Sequence, residues 1–264
     1  MLEGENGISE LKANSLRSLP KIETINLENN DLLNLRFLML GQNRIGALKP
    51  EMFAGMRNLS DLDLPLNALT AVPPNAFKPL IALKVLDLSL NRIQRIAAQG
   101  FTGLRQLMFL NLDNNSLKTI PAGSFKPLRA LEMLVLDNNL LTALNPAAFE
   151  GLGRLQELYL RNNELERLPP AVFKHTPNLS RLALSGNRLA TIEGKTLALL
   201  PHLKKLHLHD NPWLCDCNIS SLVGWMRQTS ATLSPREALK CSSPPELRKK
   251  SLSSLHGVKL LCQA

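Results

Sequence analysis

A leucine at position 35 recurs at Leu59, Leu83, Leu107, Leu131, Leu155, Leu179 and Leu203, each 24 residues beyond the last. An asparagine keeps step with it, as Asn43, Asn67, Asn91, Asn115, Asn139, Asn163, Asn187 and Asn211. The fullest copy, Leu131 to Leu141, reads LxxLxLxxNxL. Chance does not hold two residue types in register over eight periods. Within Leu134-Val135-Leu136 the alternation has period two, so both leucines point inward and Val135 points out. One such strand cannot bury its leucines alone. Stacked as parallel neighbours roughly 4.8 Å apart, the copies make a continuous core.

A fixed short period carrying this pattern is the signature of a leucine-rich repeat solenoid. The expected fold is therefore α/β: a curved horseshoe with a parallel β-sheet on its concave face and short turns or helical turns on its convex face. The asparagine falls where the chain leaves the strand. Its amide offers donors and an acceptor to backbone groups that the bend leaves unpaired, so the asparagines read as scaffolding. A second ladder, Phe53, Phe77, Phe101, Phe125, Phe149 and Phe173, with Leu197 in the seventh place, predicts a spine of stacked rings beneath the convex side. Prolines such as Pro73, Pro121 and Pro169 disfavour long helices there.

Three regions follow. Residues 35–210 are the regular array. Residues 1–34 read as irregular, shortened repeats without a cysteine cap: Asn14 to Asn30 is 16 residues and Asn30 to Asn43 is 13. Both gaps remove the convex return, and a parallel crossover needs about a dozen residues or more. Residues 211–264 break the period and hold all four cysteines, Cys215, Cys217, Cys241 and Cys262. An even, clustered terminal set fits a disulfide-stapled cap and an oxidising compartment. The alternative, zinc, expects CxxC pairs, which CxC with gaps of 23 and 20 does not supply. Four cysteines allow three connectivities.

The segment Asn211-Pro212-Trp213-Leu214-Cys215-Asp216-Cys217, a short helical stretch from Ser220 to Met226, then Cys241, Pro244-Pro245 and Cys262, resembles the cysteine-rich C-terminal cap of extracellular leucine-rich repeat proteins. Slit, Nogo-receptor and Toll-like ectodomains share this grammar. The stretch CDCNISSLVGWM is similar to the cap of the leucine-rich alpha-2-glycoprotein and phospholipase A2 inhibitor beta group. The resemblance implies the pairing Cys215–Cys241 and Cys217–Cys262, with Trp213 plugging the end of the core.

The cap implies secretion, yet Met1 to Ser15 has no apolar signal-peptide core, and no apolar run of 18 residues could span a membrane. The expectation is that the natural N-terminus lies outside this sequence. Sequons place candidate glycosylation at Asn58, Asn114, Asn178 and Asn218.

The residues show no catalytic set, cofactor motif or metal cluster. His207 and His209 form an HxH pair beside Asp210, but no third ligand is placed by sequence. Net charge is +9, without the aromatic-interleaved basic platform that binds nucleic acid. What can be read is the outward face of the strands. One column runs Phe37, Asp61, Val85, Phe109, Met133, Glu157, Arg181, Lys205; the next runs Met39, Asp63, Asp87, Asn111, Val135, Tyr159, Ala183, His207. Aromatics and methionines grouped on a solvent face predict an interaction surface. Asp113 and Asp137, a few residues beyond their strands, would rim it. Charge is ordered too: aspartates line the middle, while Arg161, Arg181, Lys204 and Lys205 lie toward a cap that adds Arg248-Lys249-Lys250. The reading is a secreted, non-enzymatic module holding a protein ligand on its concave face, or a fragment of a cell-surface receptor or adhesion ectodomain. It leaves oligomeric state open.

Overall fold

The computed structural model describes Leu16, Leu27 and residues 32–262. Eight three-residue strands line the concave face, each centred on an inward leucine. They are β1 (Phe37–Met39), β2 (Asp61–Asp63), β4 (Val85–Asp87), β6 (Phe109–Asn111), β7 (Met133–Val135), β8 (Glu157–Tyr159), β9 (Arg181–Ala183) and β10 (Lys205–His207). All pair in parallel at the register the period dictates, Leu62 opposite Leu86 and Leu110 opposite Leu134. Two features of the sheets go beyond the repeat. A ninth strand, β11 (Thr232–Leu233), comes from the cap and pairs with β10, closing the sheet edge. On the convex side β3 (Ala71–Val72) pairs with β5 (Arg95–Ile96) as a second, two-stranded sheet. The other convex segments are turns, one 3-10 turn at Pro50–Phe53 and a single helical turn, α1 (Gly194–Leu197).

The core is a ribbon between sheet and spine. In the coil of β2, Leu62, Leu64, Leu69, Phe77, Leu80 and Leu83 are all fully buried. Each such side chain contributes about 1.5–3 kcal/mol relative to exposure. The spine stacks as expected: the Phe53–Phe77, Phe77–Phe101 and Phe101–Phe125 centroids are 5.9, 6.3 and 5.8 Å apart, and Phe149–Phe173 6.5 Å.

The asparagines form the third ladder. Asn139 Nδ2 donates to Leu112, Leu136 and Asp137 carbonyls at 3.0, 3.2 and 3.1 Å, and its Oδ1 accepts from the Leu117 N–H at 3.0 Å. Each rung reaches a carbonyl 27 residues back, including the first, where Asn43 Nδ2 meets Leu16 O at 2.9 Å. Asn43 Oδ1, by contrast, is buried without a partner among the described residues. The shortened repeats expected over residues 1–34 lie largely outside the described residues.

One residue per coil takes positive φ just before the ladder asparagine: Gln42 (60°), Leu66 (56°), Leu90 (54°), Asn114 (52°), Asn138 (53°), Asn162 (54°), Gly186 (69°) and Asp210 (54°). Asparagine and glycine visit this region readily, whereas a leucine there is strained by roughly 1 kcal/mol. Leu90 is 44% exposed. Leu90→Asn should therefore raise the stability by about 0.5–1 kcal/mol despite removing an apolar side chain. A denaturant midpoint that fails to rise would show that Leu90 packing outweighs the backbone term.

The cap carries the two disulfides, Cys215–Cys241 and Cys217–Cys262, with Cα separations of 5.7 and 4.8 Å. This is the pairing the resemblance implied. Trp213 is buried over the last coil and its indole N–H donates to Leu208 O at 3.2 Å. Helix α2 (Ser220–Gln228) presents Leu222, Val223 and Met226 to the core, the spacing of one helical face.

Candidate functional site

The concave face is built by residues flanking the inward leucines. Register makes Phe109 and Met133 direct partners, and likewise Val135 and Tyr159. Val85 pairs with Phe109 from the other side. These five half-buried side chains form one apolar patch across four strands, as the outward columns predict. Phe37 and Met39 do not join it. Phe37 is 51% exposed on β1, and Asp61 and Asp63 of β2 stand between it and Val85 and Asp87 of β4.

Period-two reasoning missed a column. At the start of β2, β4 and β6 to β10 two consecutive N–H groups share one carbonyl: Met108 and Phe109 both donate to Lys84 O (2.8 and 3.0 Å), and Glu132 and Met133 to Met108 O (2.9 and 3.1 Å). Two residues thus stand opposite one, as in a bulge, and the residue preceding each strand also faces outward. Met108 is exposed and extends the apolar patch. Beside it opens a hollow of about 400 Å³ lined by Asp61, Val85, Met108, Phe109, Met133 and Glu157, among others.

The aromatic end of the patch is braced. Tyr159 donates its hydroxyl to Glu157 Oε2 at 2.5 Å. The Arg161 guanidinium lies 5.2 Å from the Tyr159 ring centroid. Arg161 Nε and Nη2 donate to Asp137 Oδ2 at 2.8 and 2.6 Å, and the Arg161 backbone N–H donates to Asp137 Oδ1 at 2.7 Å. Burial, then the Glu157 bond, raises the Tyr159 phenol above its ordinary pKa; the Asp137 bond raises that of Arg161. The ring is held by charge on both sides, which limits the entropy lost on binding.

This corrects the expected rim. Asp137 is 3% exposed and its oxygens are occupied by Arg161, so it positions Arg161 and offers a partner nothing directly. Asp113 is part of a ladder: its Oδ1 accepts from Asn138, its Oδ2 from Asn114, and Asn138 Oδ1 accepts from Asn162 (2.8, 2.9 and 3.0 Å). Asp87 Oδ1 accepts from the Ser89 N–H at 2.9 Å. The rim is amides and bound carboxylates. Asp63 is half-buried on β2. Arg181 is exposed on β9, with its Nε 3.9 Å from Glu157 Oε1.

Toward the cap the face turns basic, with Arg181, Lys204 and Lys205 beside His207 and His209, whose ring centroids are 6.1 Å apart. Burial lowers the His207 pKa. Among the described residues no group of three His, Cys, Asp or Glu could hold a metal ion. The four sequon asparagines, Asn58, Asn114, Asn178 and Asn218, are all exposed. No helix of the described residues is long and apolar enough to cross a membrane.

Comparison with known proteins agrees with this architecture. A sequence profile described as leucine rich repeat matches residues 33–89, 57–117, 105–165 and 154–212. Trophoblast glycoprotein of Macaca fascicularis is 34% identical over 55 residues, which are 21% of this chain and 13% of that protein. Phospholipase A2 inhibitor of Gloydius brevicaudus siniticus is 35% identical over 49 residues, 19% of this chain and 15% of that protein. The matched segments thus span a small part of those relatives. Among solved structures, human 5T4 (Wnt-activated inhibitory factor 1, Trophoblast glycoprotein) superposes with a TM-score of 0.75 at 28% identity, covering 91% of this chain and 92% of that one. A chain of the octameric complex of Latrophilin 3 (Lec, Olf), Unc5D (Ig, Ig2, TSP1) and FLRT2 (LRR) superposes with a TM-score of 0.69 at 27% identity, covering 90% and 82%. With more than half of its residues matched in register and its last coil sealed by a disulfide-stapled cap, the chain belongs to the leucine-rich repeat family.

Proposed function

We propose that this is a non-enzymatic, extracellular binding module whose concave face holds a protein ligand. The observation that carries the reading is the apolar patch of Val85, Met108, Phe109, Met133, Val135 and Tyr159, which lies on solvent-facing strands yet contributes nothing to the leucine core. An apolar centre within a polar rim is the anatomy of a specific interface. The two cap disulfides support an oxidising compartment, as does the likeness to trophoblast glycoprotein. Secretion as a free protein is the preferred form; the alternative is the ectodomain of a cell-surface receptor, since the FLRT2 (LRR) complex shows a solenoid of this type assembling with other proteins.

Phe109→Ala and Tyr159→Ala should each weaken binding of a protein ligand captured from extracellular medium roughly thirtyfold, the effect of removing a central aromatic worth about 2 kcal/mol. Both variants should unfold at nearly the wild-type temperature, because neither ring lies in the core. Normal binding by folded variants would remove the concave patch as the site.

A further inference from the structure

The flank of the solenoid, where each convex return runs into its strand, carries a second surface of a different kind. Two open hollows of about 480 and 390 Å³ adjoin there and share Lys126 and Arg129. The first also takes Arg105, and the second takes Arg154, Glu150 and His175. Arg105, Arg129 and Arg154 come from three successive coils, and each is exposed with no side-chain partner among the described residues. Glu150 is the one carboxylate, and Lys126 neutralises it at 2.9 Å, holding its pKa below the ordinary value. A run of unpaired guanidinium groups on one flank makes a positive surface that attracts an anionic partner.

We infer that this flank binds a linear sulfated polysaccharide. Three features favour that ligand. Coils lie about 4.8 Å apart at the sheet and wider on the outer flank, comparable with the length of one pyranose unit, so successive arginines meet successive sugars. Guanidinium forks match the oxyanion geometry of sulfate groups. No Phe, Tyr or Trp lines either hollow, so the broad stacking platform that holds single-stranded nucleic acid is missing. Neither hollow shares a residue with the concave patch, so a polysaccharide could hold the solenoid in the extracellular matrix while its concave face stays open. This inference does not depend on the concave reading.

Calorimetric titration of the disulfide-intact protein with a heparin dodecasaccharide, over a series of salt concentrations through the physiological value, tests it. Binding should weaken linearly in log salt. Arg129→Ser combined with Arg154→Ser should lower affinity at least about fivefold and flatten the salt dependence by about 1–2 in slope. Lys249→Ser with Lys250→Ser, which removes the same charge from the cap, should cost less than about twofold, and Phe109→Ala should leave heparin binding unchanged. Equal losses from the flank and cap pairs would reduce the effect to net charge and overturn the site. So would equal binding of unsulfated heparosan, or displacement of heparin by an equally charged oligothymidylate.

Discussion

Phe125→Ala should lower the unfolding free energy by about 3–5 kcal/mol, the usual range for truncating a fully buried phenylalanine. The ring is inaccessible to solvent and stacks on Phe101 at 5.8 Å. Removing it opens a cavity in the middle of the spine, where neighbouring coils cannot collapse without breaking their own strand register. In a solenoid each coil gains stability only from its neighbours, so the loss should appear as faster hydrogen exchange in the coils of β6, β7 and β8, spreading less to the cap. Phe125→Leu should cost less than half as much, because Leu197 already fills the equivalent place. Denaturant titration of the two variants checks both values. An unchanged midpoint for the alanine variant would mean that the spine is not what holds the convex side. The substitution leaves the concave face intact, so ligand affinity should hold wherever the variant is folded.

Asn139→Asp should be nearly as costly, by about 3 kcal/mol or more, although it changes no volume. The amide nitrogen now donates to three carbonyl oxygens from a site 3% exposed. A carboxylate there would set a negative oxygen against those three acceptors and lose every donated bond. Burial and the surrounding carbonyls would raise the carboxyl pKa above its unfolded value. The deficit is then present above the raised pKa and is relieved as pH falls through it, since a protonated carboxyl can donate again. The variant should therefore recover stability on mild acidification while the wild type does not gain. Asn178→Asp, at an exposed position whose amide donates only to Gly153 O at 2.7 Å, should change stability by less than about 0.5 kcal/mol. Equal effects at the two positions would show that the ladder is dispensable.

The sequence by itself determined everything that repeats with the coil. The inward leucines, the asparagine ladder, the phenylalanine spine and the strand register follow from a 24-residue period combined with the two-residue alternation of a strand. That is why Phe109 meets Met133 and Val135 meets Tyr159 as the outward columns predict. Tertiary structure decided what depends on side chains crossing between coils. Asp137 reads as a rim carboxylate until Arg161, 24 residues away, is seen folded over it. Met108 reads as off the strand until its N–H is found sharing the Lys84 carbonyl with Phe109. The cap is aperiodic, so strand β11 had no repeat to announce it. The basic flank stayed hidden for a related reason. Arg105, Arg129 and Arg154 do not keep an exact period, and only the packing of successive returns brings them beside one another. A periodic pattern fixes backbone position coil by coil, but a side-chain partner is chosen by direction and reach, which no spacing in the chain records.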